Sequence, residues 1–340
     1  MARVQIGARR EFAPGPPFMR LAAAPGSNLA GAFCAMFAMM CFSVIDVGAK
    51  FLSDTYALHQ ITFIRSCLAI SLFMMFIMPF NGWLAVFRTR RPGAHLLRGA
   101  CVIVANTFLF LGLAALPIAD ATSIFFVSPL LIALFSIIFL GEKVGPRRWA
   151  AIMVGFMGVL FIVKPGTSAF QFAALFPMVA ATLYAAMSII ARRIRHTESA
   201  PTMAIYVQIV FFTSSLASLA VIGDGRFSES TDHASFLFLL RAWAPVEGHD
   251  WPLLMLLGLC GLLGNVFISQ AFRLSEAAFA APFEYVSMLM AIVWGVTVFG
   301  TWPDTSAWIG IAFILGSGIY LVFREGRRES EVNPDLKLRR

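Results

Sequence analysis

Ten apolar runs, each about as long as a bilayer is thick, constrain this chain more than any other feature of its sequence. The hydrocarbon core of a bilayer needs about 20 apolar residues in a helix. Because lipid offers no water to the backbone, each such run must form a helix that satisfies its own peptide groups. The sequence therefore predicts an all-α, polytopic membrane protein with ten transmembrane helices, at 29–50, 57–79, 97–116, 120–140, 147–164, 171–191, 203–222, 252–272, 276–299 and 306–323.

The positions of the basic residues support ten crossings and give an orientation. Of the 26 Lys and Arg residues, 21 fall on the side that would carry both chain ends, 4 on the other, and Arg65 within a span. An excess of Lys and Arg marks cytoplasmic loops. We therefore expect both termini in the cytoplasm, with residues 1–27 forming a disordered tail and 326–340 a second tail.

Composition limits the partners of the chain. Only 13% of the residues are charged and 59% are hydrophobic, whereas about a quarter of a soluble domain is charged. Membrane lipids are thus necessary partners. The net charge of +8 does not indicate nucleic acid, because the Arg residues form short clusters between apolar runs. Arg outnumbers Lys 22 to 4, which is typical of a GC-rich bacterial genome, so we expect a bacterial inner membrane.

The second half of the sequence repeats the first. With an offset of about 159 residues, Asn106 falls on Asn265 and Trp149 on Trp308, and such matches keep their order along the chain. The repeats would be residues 28–166 and 171–325, with five helices each. Because five is odd, the second copy would enter the membrane inverted. Inverted repeats allow one central site to face either side of the membrane in turn.

Short segments carry a resemblance to a known family. They are Leu116-Pro117-Ile118-Ala119-Asp120-Ala121, Ser128-Pro129, Leu140-Gly141-Glu142-Lys143-Val144, Trp149 and Gly155-Phe156-Met157-Gly158-Val159. With the five-plus-five layout, they resemble the EamA-type branch of the drug/metabolite transporter superfamily over about residues 28–325. The resemblance implies a central solute cavity lined by helices one to four and six to nine. In the second copy the turn reads Gly300-Thr301-Trp302-Pro303-Asp304, which favours a local role for Glu142.

The resemblance implies a secondary transporter that moves a small polar metabolite by alternating access, with export of amino acids or other metabolites favoured. The alternative is uptake of an S-adenosylmethionine- or riboflavin-like solute, since Asp46…Lys50-Phe51-Leu52-Ser53-Asp54 and Phe63-Ile64-Arg65 are similar to bacterial uptake members. A channel or a membrane enzyme is a remote alternative. The sequence contains neither HExxH nor GxSxG, so we predict no enzyme, catalytic residue, metal or cofactor.

Three charged residues stand out inside the predicted spans, where an unpaired charge costs a few kcal/mol. Asp46 and Arg65 would face each other near one end of helices one and two. They either clasp the two helices or leave Arg65 to bind an anionic group of the solute. Glu284 follows Pro282, which can kink its helix. It would bind a cationic solute or a coupling proton, or hydrogen-bond a neighbouring helix.

Polar uncharged residues complete the predicted site. Asn106 and Asn265 are repeat mates at mid-depth, where an amide either joins two helices or contacts solute. The remaining predicted cavity residues are Tyr184, Gln270 and Tyr285.

Two further features lie outside the site. Residues 234–246 are too short to span the membrane and predict an interfacial helix, while glycines of the fifth and tenth helices permit close packing or a homodimer.

Overall fold

The computed structural model describes residues 28–81, 85–140, 146–164, 171–194, 197–198, 200–228, 233–274 and 285–332. All regular secondary structure in these ranges is helical. Single turns lie at Met78–Asn81, Ala85–Phe87 and Phe172–Ala174. The longer helices are α1 (Asn28–Leu52), α2 (Leu58–Phe76), α3 (Pro92–Ala115), α4 (Ile118–Phe125), α5 (Ser128–Leu140), α6 (Pro146–Val163), α7 (Leu175–Ile194), α8 (Ala200–Ile222), α9 (Ala234–Leu240), α10 (Trp251–Leu274), α11 (Val286–Phe299) and α12 (Thr305–Val332).

The apolar helices confirm a polytopic helical membrane protein. Six segments are long and apolar enough to cross a bilayer: Phe33–Leu52, Leu58–Phe76, Pro92–Ala115, Phe172–Ala191, Pro201–Ile222 and Trp251–Ile268. Shorter apolar helices are Ile118–Ile132, Trp149–Val163, Val286–Phe299 and Thr305–Ser317. The first part of the predicted span 276–299 lies outside the described residues. Ten crossings therefore stay a prediction.

The predicted span 120–140 is interrupted in the middle. α4 ends at Phe125 and α5 begins at Ser128, with Pro129 in its first turn, where a missing N–H costs little. The N–H groups of Phe126 and Val127 still donate to carbonyls of α4. Phe126 and Val127 are also buried, and irregular backbone at membrane depth is tolerated where protein covers it.

The helices of the two halves pack against each other in a reciprocal pattern. α1 packs on α10 and α3 packs on α7, while α2 pairs with α8 and α6 pairs with α12. Likewise α5 contacts α7 and α11 contacts α1. If the predicted spans are numbered one to ten, each of these contacts maps onto another, or onto itself, when the halves are exchanged. The main hydrophobic cluster contains residues of both halves, so the core lies between the halves.

Glycine allows α6 and α12 to touch along their backbones. A Cβ placed on Gly158 would lie 2.7 Å from the carbonyl oxygen of Gly310. A Cβ on Gly310 would lie 2.5 Å from the carbonyl oxygen of Gly158. Small residues at a crossing bring helices together in lipid. These two glycines therefore serve packing within the chain.

Residues 233–250, which we call the strap, cover one end of the helices. The predicted interfacial helix 234–246 is shorter than expected, because α9 ends at Leu240. Its Ser235 is buried and donates to the carbonyl of Leu111, 2.6 Å away, so α9 packs on α3. One face of the helix predicted to lie at the membrane interface is thus covered by protein.

Hydrogen bonds fasten the rest of the strap to the corner between α1 and α2. The side-chain amide of Gln60 donates to the Ala244 carbonyl (2.6 Å) and accepts from the Ala244 N–H (3.1 Å). The Tyr56 hydroxyl donates to Asp250 (2.6 Å) and accepts from the Glu247 N–H (3.0 Å). The bond to Asp250 raises the pKa of Tyr56, so this phenol stays a donor at neutral pH.

A turn joins α11 to α12. Gly300 has a φ of 63°, the left-handed conformation that suits glycine after a helix. Asp304 then caps α12 by accepting from the N–H of Ala307 (2.7 Å). It also accepts a hydrogen bond from Lys164, at the end of α6. This corner fixes the start of α12 against the first half of the chain.

We predict that Gly158→Ala lowers the thermal unfolding midpoint of the purified protein. The added methyl group would collide with the Gly310 backbone, and overpacking typically costs about 1–3 kcal/mol. Tryptophan fluorescence during heating in detergent provides the measurement. Gly316→Ala on α12 is the matched control, because a Cβ there meets nothing within 4 Å. Equal midpoints for the two variants would contradict the prediction.

A second prediction concerns the Lys164–Asp304 pair. The hydrogen bond from Lys164 lowers the pKa of Asp304 from its ordinary 3.8 to about 2. Such a group stabilises the fold above its unfolded pKa and loses that contribution as pH falls through the folded pKa. Asp304→Asn should therefore lower the unfolding midpoint by a small amount at pH 5, and by less as the pH falls below about 4.

The effect is small because the Asp304 side chain is 57% exposed, and exposed pairs contribute at most about 1 kcal/mol. Asp224→Asn, at an exposed pair with Arg226, is the control. Unfolding midpoints measured in buffers from pH 3 to 8 test the prediction. A difference from wild type that stays the same or grows between pH 5 and pH 3 speaks against it.

Candidate functional site

Arg65 is buried where helices of the two halves meet. The residue lies on α2 and is 7% exposed. Its guanidinium lies 6.0 Å from the ring centre of Phe110 on α3 and 5.3 Å from that of Phe211 on α8. A cation over an aromatic face gains about 0.5–2 kcal/mol. Gly261 on α10 faces the stem of this side chain, since a Cβ there would make an ordinary contact with Arg65 Cγ at 3.7 Å.

Asp46 approaches Arg65 from α1, as predicted, but does not form a direct ion pair with it. The carboxylate and the guanidinium are close enough for their charges to attract. Between these two described side chains the structure contains neither a salt bridge nor a hydrogen bond. The donors of Arg65 are thus not used by Asp46, and an anionic group could bind them.

The two asparagines lie on helices that face Arg65, but their surroundings differ. Asn265 donates from Nδ2 to the carbonyl of Gly261 on its own helix, 2.7 Å away. Asn106 lies one turn from Phe110, and its amide forms no hydrogen bond with the described part of the chain. The repeat mates are therefore not equivalent, and the Asn106 amide lines a cavity.

The predicted tyrosines form a second group, at the interruption between α4 and α5. The ring of Tyr184 lies 5.4 Å from that of Phe125, and the ring of Tyr285 lies 5.5 Å from that of Phe126. Tyr285 is 3% exposed. Of the other predicted residues, Glu284 lies outside the described residues, and so does the side chain of Gln270.

A polar cavity of about 50 Å³ lies beside Phe211, between α2, α3 and α8. Sequence reasoning missed most of its polar lining. The sequence signal for such a lining is a set of hydroxyl residues at helical spacing on one face of an apolar helix. Ser214, Ser215 and Ser218 form such a set. Besides Asn106, the polar lining consists of His59, Thr62, Thr107, Ser214, Ser215 and Ser218.

Contacts between the two halves also close the end of α3 and α8 that lies away from the strap. His95 on α3 lies 3.3 Å from Glu198, and both side chains are 2% exposed. The second carboxylate oxygen of Glu198 accepts from the N–H of Arg90 (3.0 Å). The His95 ring stacks on Tyr206 of α8, with ring centres 4.6 Å apart. Arg65 is therefore enclosed between the strap and this cluster, which we call the His95 cluster.

Within the described ranges, no group of three or more His, Cys, Asp or Glu side chains could hold a metal ion. The site instead combines one buried cation, one carboxylate and uncharged polar groups between two packed sets of helices. Such a layout is that of a membrane protein that handles a small solute.

The comparisons with known proteins agree with this class. The chain belongs to the EamA-like transporter family, whose family model matches residues 29–164 and, a second time, residues 171–324. A solved structure, described only as the crystal structure of a protein, shares the fold with a TM-score of 0.57 and 18% identity. It covers 88% of this chain and 98% of its own.

Named relatives handle several solutes. The chain is 29% identical over 311 residues to a riboflavin transporter of Rhizobium johnstonii, covering 91% of this chain and 96% of the relative. It is 26% identical over 295 residues to an S-adenosylmethionine uptake transporter of Rickettsia felis (87% and 93%). It is 27% identical over 296 residues to a pseudopaline exporter of Pseudomonas aeruginosa (86% and 93%).

The family and these relatives are transporters and not enzymes. The family resemblance read from the sequence is thus confirmed, as are transport and membrane location. Bacterial relatives and apolar helices indicate a multi-pass protein of the inner membrane.

We predict that Asp46 and Arg65 are energetically coupled. Asp46→Asn, Arg65→Gln and the double variant form a cycle in which the double variant should lose less stability than the sum of the single losses. Contacting or charge-linked residues typically show coupling of about 0.5–3 kcal/mol. Unfolding midpoints in detergent provide the measurement. Asp46→Asn combined with Thr213→Ala, on an exposed face of α8, should be additive. Additivity in the first cycle would count against the coupling.

Proposed function

We propose that this protein is a secondary transporter that moves a small polar metabolite across the inner membrane by alternating access. One observation carries the proposal. The family model matches the chain twice, and the helices of the two matched halves pack reciprocally around buried Arg65. A site between two similar halves can open to either side when one half rocks against the other.

The proposed topology is two inverted five-helix repeats, with α4 and α5 together forming one crossing. Five crossings in a half reverse the direction of the next half. The excess of Lys and Arg on one side supports a cytoplasmic location for both termini. In this orientation the strap covers the periplasmic end and the His95 cluster covers the cytoplasmic end.

Alternating access would then require these two closures to open one at a time. The strap ties the second half to the corner between α1 and α2, and the His95 cluster joins α3 to α8 and its preceding loop. With both in place Arg65 is shielded from water, which supports an occluded state. Solute could enter only after one closure had separated.

For the solute we propose contacts with Arg65 and Asp46 first, since their charges are buried and a buried charge in the membrane is usually functional. Asn106, Asn265, Tyr184 and Tyr285 would complete the wall, with Gln270 and Glu284 as further predicted contacts. A homodimer is also a prediction, although Gly158 and Gly310 already serve packing within the chain.

The solute and its direction are proposed at the level of class. Amino-acid or metabolite export is the direction that the resemblance favours. Uptake of a riboflavin- or S-adenosylmethionine-like solute is the alternative, and the named relatives include a riboflavin transporter and an S-adenosylmethionine uptake transporter. Both directions are measured by the same experiment, since a reconstituted carrier can be loaded on either side.

We predict saturable flux of at least one of these solutes in proteoliposomes, faster when unlabelled solute is present on the far side. Labelled riboflavin, S-adenosylmethionine and a mixture of amino acids would be tested for uptake and for efflux. Arg65→Gln should reduce flux at least tenfold, because it removes the buried cation while keeping a polar, hydrogen-bonding side chain.

Thr213→Ala is the control variant for flux, since Thr213 is exposed and bonds its own helix. If Arg65→Gln transports at the wild-type rate, Arg65 does not contribute to the transport site. Lack of movement of every tested solute in both directions, with the protein folded and reconstituted, would contradict the transport proposal.

A further inference from the structure

The polar cavity beside Phe211 is a partly open recess with a polar wall. It lies on the strap side of Arg65, because Thr62 and His59 precede Arg65 on α2 by about one and two turns, respectively. Phe211 belongs both to this wall and to the ring pair around Arg65. The cavity and the Arg65 site are thus adjacent compartments that share one aromatic side chain.

Two polar side chains of the wall are incompletely hydrogen-bonded. His59 is 4% exposed, and neither ring nitrogen makes a hydrogen bond of good geometry, although a backbone group of Leu239 lies close to the ring. The Asn106 amide likewise forms none with the described residues, although its repeat mate Asn265 does. Buried polar groups are nearly always hydrogen-bonded, because an unmade bond costs the full desolvation of the group. Water or a solute that enters the cavity could therefore supply partners to His59 and Asn106.

The strap forms the remaining wall. Leu239 of α9 lines the cavity, and the ring centre of Trp243 lies 5.9 Å from that of His59. Just beyond, Gln60 and Ala244 exchange the two hydrogen bonds that hold the strap down. At about 50 Å³ the cavity holds a few water molecules but no metabolite. A larger partner needs the strap to move.

Resting on the transport function proposed above, we infer that this cavity is a solute-binding subsite that opens when the strap lifts. His59, Asn106 and the hydroxyl groups of α8 bind an uncharged, hydrogen-bonding part of the solute there. The Arg65 compartment lies behind it on the same route.

The chemistry of the wall selects the class of ligand. No described residue of the wall is acidic, so nothing there balances a positive charge. Arg65 lies just behind Phe211, 5.3 Å from its ring centre, and its charge repels cations. An amide, an imidazole and several hydroxyl groups can both donate and accept hydrogen bonds. The subsite thus suits carbonyl, imide or hydroxyl groups and excludes ammonium or sulfonium groups.

Riboflavin and S-adenosylmethionine are the probes that separate these classes. Riboflavin is uncharged and carries an imide and several hydroxyl groups, whereas S-adenosylmethionine carries a sulfonium cation. We expect the full-length protein in detergent to bind riboflavin at least tenfold more tightly, measured by quenching of flavin fluorescence and by competition with S-adenosylmethionine. His59→Phe and Asn106→Leu should each raise the riboflavin Kd at least tenfold.

Two further variants serve as controls for this binding test. His59→Gln retains a donor and an acceptor and should restore most of the affinity that His59→Phe loses. Thr213→Ala, on the exposed face of α8, should leave the Kd within twofold of wild type. Unchanged affinity in both cavity variants, or tighter binding of S-adenosylmethionine, would overturn the subsite. If another tested solute is transported without riboflavin binding, the subsite fails while the transport function stands.

The strap is tested by a cross-link. Cysteines at Gln60 and Ala244, joined by a short thiol-specific reagent, should reduce riboflavin flux in proteoliposomes at least tenfold, and reduction should restore it. The single-cysteine variants treated with the same reagent are the controls. Full flux through the cross-linked protein would show that the strap need not lift, and would overturn that part of the inference.

Discussion

The hydrogen-bonding demand of the backbone in lipid determines the architecture of this protein. A peptide group without a partner costs several kcal/mol in hydrocarbon, so each apolar run must be a helix. Lipid gives the helices no hydrophobic reason to associate, and small residues at their crossings take over that role. The contact of Gly158 with Gly310 is one result, and the covered interruption at Phe126 and Val127 is another.

The same scarcity of water explains the surroundings of Arg65. A buried guanidinium must be stabilised, and here two aromatic faces and a distant carboxylate share that task. A direct ion pair would stabilise the charge more strongly but would occupy its donors. The observed arrangement keeps a cation inside the protein while leaving its hydrogen-bonding capacity unused by Asp46. A carrier needs this balance, because its site must bind solute and also release it.

Sequence reasoning predicted the parts that follow from periodicity and charge. The apolar runs predicted the helical membrane fold, and the motif around Leu116-Pro117-Ile118 predicted the family. The proximity of Asp46 and Arg65 followed from their positions on neighbouring helices. The polar cavity was missed because His59 looks like a helix-end residue in the sequence. Its burial depends on Leu239 and Trp243, about 180 residues away, and single-sequence periodicity carries no information about such contacts.

The two ends of the molecule are closed by different chemistry. At one end the strap is tied by amide and hydroxyl hydrogen bonds; at the other, an imidazole and a carboxylate meet. Under the alternating access proposed above, a perfectly symmetric pair of halves would give the two open orientations equal free energy. Unlike fastenings would remove that degeneracy, so the resting population would be skewed toward one orientation and the forward and reverse half-cycles would run at unequal rates.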